Sequence, residues 1–145
     1  MDNRLNSAFW LLRIGFGATA FLAGLDKFFN ILTNWEQYVS PLMTSIVPLS
    51  ASALMHVAGV IEMIAGIAVL AGLGRLGGYV VSAWLLAIAV ALLTTGRFFD
   101  IAVRDVMLSF GAFTLARLAT VREDAAAVNP SAVEGRRASL RTANG

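Results

Sequence analysis

Four predominantly apolar stretches of about twenty residues, roughly 8–28, 52–73, 77–96 and 102–120, constrain this chain more than anything else in it. Each has the length a helix needs to cross a hydrocarbon layer about 30 Å thick. They are rich in Ala, Leu and Gly and lack the alternation of a barrel wall, so helices are predicted and strands are not. The expected fold is all-α, a four-transmembrane-helix bundle over residues 1–121 with an interfacial helix or loop between spans 1 and 2. A polar, mobile tail is expected over 122–145. Composition agrees, since 58% hydrophobic residues, 14% charged residues and a mean hydropathy of +0.75 leave too little polar surface for a soluble domain of 145 residues.

The charge pattern excludes several functions. The net charge of +2 and pI near 9.7 come from scattered basic residues, three of the 11 being Arg136, Arg137 and Arg141 in the tail, so no nucleic-acid partner is expected. With no cysteine the chain has no disulfide, no iron–sulfur ligands and no CxxC redox motif. Its one histidine, His56, cannot fill both axial positions of a haem and reads as an interface or packing residue; no metal set is expected. The glycines of "GLGRLGG" (72–78) follow no predicted strand, so they read as a flexible turn between spans 2 and 3 and not as a nucleotide loop. Arg13 interrupts the first apolar run, which identifies it as an uncleaved anchor. Arg4, Arg75, Arg117 and Arg122 against Lys27, Arg97 and Arg104 place the termini on the cytoplasmic side of a bacterial inner membrane.

The residue that does not belong is Glu62, inside "GVIEMIAGIAVLAG" (59–72). A carboxylate at mid-bilayer costs several kcal/mol unless it is protonated or paired. Gly59 and Gly66 flank it on its own helix face and imply either tight helix contact or a small cavity. On span 1, Arg13 shares a face with Gly17, Ala20 and Gly24. With both termini on one side, Arg13 lies roughly 8 Å and Glu62 roughly 16 Å from the same membrane face, which makes Arg13 the expected partner. Asp26, Lys27, Arg104 and Asp105 form a second polar group near the opposite face. Two readings stay open. The Arg13–Glu62 pair locks helix register, or Arg13, Gly59, Glu62 and Gly66 line a ligand site in which Glu62 exchanges a proton.

The connector "NILTNWEQYVSPLMTSIVPLSAS" carries Trp35, Glu36, Tyr38, Pro41 and Pro48, residues suited to a membrane interface, and reads as a plain connector or a lid. Ala83, Ala87 and Ala91 on span 3 are packing positions, and Phe98 and Phe99 are interface anchors before span 4.

The stretches "LLRIGFGATAFLAGLDKFFN", "NWEQYVSPL", "GVIEMIAGIAVLAGLGRLGGYVVSAWLL" and "DIAVRDVMLSFGAFTLARL" together resemble the DoxX-like family of small bacterial four-helix membrane proteins. The correspondence covers residues 8–120 and rests on Arg13, the "GLDK" containing Asp26 and Lys27, Glu62 and Asp105. The resemblance implies an integral membrane subunit that anchors or assists a quinone-linked oxidoreductase as part of a larger membrane complex. No redox centre belongs to the chain itself, no cofactor is covalently bound, and a quinone is the candidate ligand. A non-enzymatic scaffold or assembly subunit is the alternative, and a small-solute or lipid carrier a second one. The absence of an inverted repeat or of paired broken helices disfavours the carrier.

Overall fold

A computed structural model describes residues 3–143, and the side chains of residues 3–127. The described residues are helical with no strand. Helix α1 spans Asn3–Asp26, a 3-10 helix Trp35–Tyr38 and a short α2 (Pro41–Ile46) follow, and α3 (Ala51–Ala71), α4 (Gly74–Thr94) and α5 (Phe99–Ala143) complete the chain. Three helices are long and apolar enough to cross a membrane: α1, α3 and α4. The stretch expected as a fourth span, 102–120, lies within α5. Arg104, Asp105 and Arg117 cut its uninterrupted apolar run down to residues 106–116, which is short of a bilayer's thickness by itself. The backbone of α5 continues without a break past residue 121, the expected end of the membrane domain.

Helix α1 pairs with α3, α4 pairs with α5, and the two pairs meet through α3–α4 and α1–α5 contacts. Alanines make up much of the core, with Phe9, Val69, Leu92 and Leu115 among the larger buried side chains. Ala65, Ala89, Ala102, Ala112, Ala116 and Ala119 are buried, whereas Leu11, Ile14 and Leu22 of α1, Ile64 and Ile67 of α3, Val90 and Leu93 of α4 and Val103, Met107 and Phe110 of α5 are exposed. Many large apolar side chains thus face outward and the alanines inward, which favours close helix approach in lipid, where burying a leucine brings no hydrophobic gain.

Helices α1 and α3 touch backbone to backbone at two points. A Cβ on Gly24 would lie 2.5 Å from the Gly59 carbonyl oxygen, and one on Gly66 would lie 2.6 Å from that of Gly17. Of the two arrangements open for the glycines around Glu62, tight contact is the one present. The "GLGRLGG" stretch is also tighter than a flexible turn. Only Gly72 and Leu73 link the helices, with Gly72 in the left-handed region at φ 115°, as helix C-terminal glycines commonly are. Gly77 and Gly78 lie inside α4. A Cβ there would come within 2.7 Å of the Val69 side chain and 2.8 Å of the Ala116 nitrogen, so these glycines are packing positions.

The segment between α1 and α3 is ordered by its own polar side chains. Asn34 accepts from the Glu36 N–H, Ser40 from the Met43 N–H and Ser50 from the Ala53 N–H, each satisfying a donor left free at a helix start. Pro41 occupies the first turn of α2, where its missing N–H is harmless.

Gly59→Ala is expected to lower the melting temperature in detergent, by an overpacking cost of about 1–3 kcal/mol. Gly15→Ala, where an added Cβ meets nothing within 4 Å, is expected to leave it unchanged or raise it. Thermal unfolding followed by circular dichroism checks both.

Candidate functional site

The carboxylate of Glu62 is buried at the twelfth of the 21 residues of α3, and its partner is Lys27. Lys27 Nζ lies 2.5 Å from Glu62 Oε2, and Trp84, midway along α4, donates its indole N–H to Glu62 Oε1 at 3.1 Å. Both carboxylate oxygens are therefore engaged. The same Nζ sits 3.8 Å from the Trp35 ring centroid, and Trp35 donates its indole N–H to Asp26 Oδ2 at 2.8 Å. Asp26 also accepts the backbone N–H groups of Ile31 and Leu32 at 3.0 Å each, fixing the chain as it leaves α1. A continuous polar path thus runs from the loop at the membrane surface, through Asp26, Trp35 and Lys27, to Glu62 and Trp84 at the middle of the bundle.

Arg13 does not pair with Glu62, which corrects the expectation. It donates Nε to the Val69 carbonyl at 3.0 Å and Nη2 to the Leu70 carbonyl at 2.6 Å. Those carbonyls belong to the last turn of α3: that of Val69 also accepts a long bond from the Gly72 N–H at 3.4 Å, whereas that of Leu70 has no backbone donor, and an unsatisfied carbonyl in hydrocarbon costs several kcal/mol. The cause of the difference is directional. Helix side chains tilt toward their own N-terminus, so in this antiparallel pair Arg13 leans away from the bundle centre. Lys27, just beyond the end of α1, leans back into it, and Glu62 leans toward Lys27.

Gly59 and Gly66, expected to line a site with Arg13 and Glu62, have their faces filled by the backbone of α1. The structure therefore separates the proposed set. Glu62 stands with Lys27 and Trp84, Gly59 and Gly66 form the helix contact, and Arg13 caps α3 at the far end. The second group divides as well. Asp26 and Lys27 are buried, Asp105 on the second turn of α5 is buried, and Arg104 is largely exposed while donating to Asp105 Oδ1 at 3.2 Å. The Lys27–Glu62 pair joins one member of this second group to Glu62. Asp105 Oδ2 has no hydrogen-bond donor among the described residues. His56 stacks on Phe28, with ring centroids 4.7 Å apart and planes 9° from parallel. No group of three or more metal-ligating side chains occurs among the described residues.

Two contributors were not anticipated. Trp84 carried no signal beyond being a tryptophan with a donor group in the middle of an apolar helix, where its indole N–H needs an acceptor. Trp35 has the composition of an interface residue, yet it also covers Lys27. Every buried side-chain nitrogen and oxygen among the described residues that is sealed from solvent has a hydrogen-bond partner.

Lys27→Met alone is expected to destabilise the protein by about 3 kcal/mol or more, because it leaves Glu62 unpaired in the interior. Combining it with Glu62→Leu should recover much of that loss. Thermal unfolding of both single variants and the double variant tests the coupling, and simple additivity would contradict the pairing.

Among known families, the DoxX family model matches residues 8–99. The match takes in α1, the ordered connector, α3 and α4, and so includes Lys27, Trp35, Glu62 and Trp84, whereas Asp105 lies beyond it. No curated protein and no solved structure matches the chain. With more than half of its residues matched, and three helices able to cross a bilayer, this chain is a membrane protein that belongs to the DoxX family.

Proposed function

We propose that the chain is the membrane subunit of a quinone-linked oxidoreductase in a bacterial inner membrane, with a site for the polar head of a quinone beside Lys27, Glu62, Trp84 and Asp105. The observation that carries this reading is the buried Lys27–Glu62 pair, at 2.5 Å, halfway along α3. A buried ion pair is seldom more stable than apolar packing of the same volume, and ionisable groups within a membrane domain mark sites of function more often than sites of structure.

The donor set fits a quinone head. Lys27 Nζ and Trp84 Nε1 are the two groups that would donate to its carbonyl oxygens, and a ligand there must take them from Glu62. Quinone reduction supplies the redox chemistry by taking up two electrons and two protons. The electrons come from a partner protein, because this chain has no cysteine and one histidine and so lacks the ligands of an iron–sulfur cluster or a bis-histidine haem. Glu62, freed from its donors, and Asp105 are the acids that pass protons at the head. Trp35, stacked over Lys27, covers the site on the connector side.

Helix α5 over 102–120 completes the bundle as a fourth span. It packs along α4, turns Val103, Met107 and Phe110 outward, and places its charged residues near its two ends. The basic end of the bundle, with Arg4, Arg13, Arg75, Arg117 and Arg122, faces the cytoplasm by the positive-inside tendency. The connector and the Glu62 site then open toward the other side.

A scaffold role is the second reading. The Gly24–Gly59 and Gly17–Gly66 contacts and the capping of α3 by Arg13 are devices for holding helices together, and a fully satisfied Glu62 fits that purpose too. Quinone extracted from the affinity-purified protein separates the two. Under the site reading, wild type carries quinone, while Trp84→Phe retains the fold and partner proteins but loses most of it, and Glu62→Gln, a weaker acceptor that releases both donors, keeps it. Equal quinone in all three, or none in wild type, contradicts the site and leaves the scaffold.

A further inference from the structure

At the opposite end of the bundle a second polar assembly stands apart from Glu62. Arg13 and Arg122 approach the same two rings. The guanidinium carbon of Arg13 is 4.9 Å from the Trp10 centroid and 5.9 Å from that of Phe9; for Arg122 the distances are 5.3 Å and 4.9 Å. Arg122 also donates Nη1 to the Asn6 side-chain oxygen, tying α5 to the first turns of α1. Both guanidinium groups are thus held in place, Arg13 by two carbonyls and Arg122 by an amide and a ring.

Neither guanidinium forms an ion pair with a carboxylate among the described residues, although Glu123 and Asp124 follow Arg122 in the chain; the two ion pairs lie at the Glu62 end. Nη1 of Arg13 and Nε and Nη2 of Arg122 have no acceptor there either. Arg75 and Arg117 add further positive charge at the same end. Two cations fixed against one aromatic pair repel each other, and the arrangement becomes favourable when an anion is shared between them. Guanidinium forks suit phosphate oxygens in particular.

We propose that Arg13 and Arg122 form a binding site for the phosphate of an anionic phospholipid. The lipid source follows from the surface next to it. Trp10, Ile14 and Leu22 of α1, all exposed, lie at intervals of four and eight residues and wind over an arc of about 120° around the helix. They offer an acyl chain an apolar track that begins at the level of the arginines, and a tryptophan at the head of that track is the usual membrane-interface placement. This site is independent of the quinone reading, sharing no residue with it.

The test uses the full chain, delipidated in neutral detergent, with melting temperature read against added phosphatidylglycerol, phosphatidylcholine or inorganic phosphate. Phosphatidylglycerol is expected to raise the melting temperature, with phosphatidylcholine and inorganic phosphate having little effect. Arg122→Gln should weaken the apparent phosphatidylglycerol affinity roughly fivefold or more, and salt should weaken that of wild type. Arg122→Lys, which keeps a charge and a donor, should retain a measurable part of it, and Arg97→Gln at the other end should behave as wild type. Equal stabilisation by both lipids, or an Arg122→Gln response identical to wild type, overturns the site. An equal shift with inorganic phosphate overturns its assignment to lipid.

Discussion

The contact of Gly24 with Gly59 and of Gly17 with Gly66 sets the register of α1 against α3, and the rest of the polar architecture depends on it. With the two backbones this close, sliding one helix by a turn would drive side chains into main chain. The register then decides which charges meet. Lys27 falls within reach of Glu62, and Arg13 meets the C-terminal end of α3 about 21 Å away along its helix, at 1.5 Å per residue. Small residues here do more than permit packing; they determine which electrostatic partnerships exist.

Those partnerships follow from the solvent. In hydrocarbon no water takes up an orphan carbonyl or a bare carboxylate, so each must be satisfied within the protein. The bundle meets that requirement with two different cations. A guanidinium, with donors in a fixed fork, spans two adjacent carbonyls at Val69 and Leu70. An ammonium on a flexible stem reaches past the end of its helix to one carboxylate oxygen, and its other face rests on an indole ring. The chemistry of each cation suits its location, a fixed fork at two adjacent carbonyls and a compact charge at one carboxylate oxygen.

Much of this was legible in the sequence. The apolar runs and their small-residue faces announced a helical membrane bundle, and Glu62 announced itself as a group that needs a partner. The identity of the partner was not legible by depth alone. Counting residues from a membrane face placed Arg13 and Glu62 within a bridgeable gap, but it ignored the tilt of side chains toward each helix N-terminus, which carries these two apart and brings Lys27 in. The turn at 72–78 was misjudged for a related reason. A glycine run signals flexibility in a loop and close approach in a helix, and only the neighbours Val69 and Ala116 decide between them. Trp84 and the continuation of α5 beyond Thr120 had no periodic signal to reveal them.

The ammonium group of Lys27, and not the guanidinium of Arg13, holds Glu62 within the bundle. Lys27 is the only lysine in the chain, so selective nitrogen-15 labelling of lysine marks a single Nζ. Solid-state NMR of the protein in lipid bilayers, with carbon-13 in glutamate carboxyl groups, reads its distance to Glu62 directly. A strong dipolar coupling that vanishes in Glu62→Gln is the predicted result. A lysine signal without such coupling, or a glutamate carboxyl coupled instead to the Arg13 guanidinium, would contradict it.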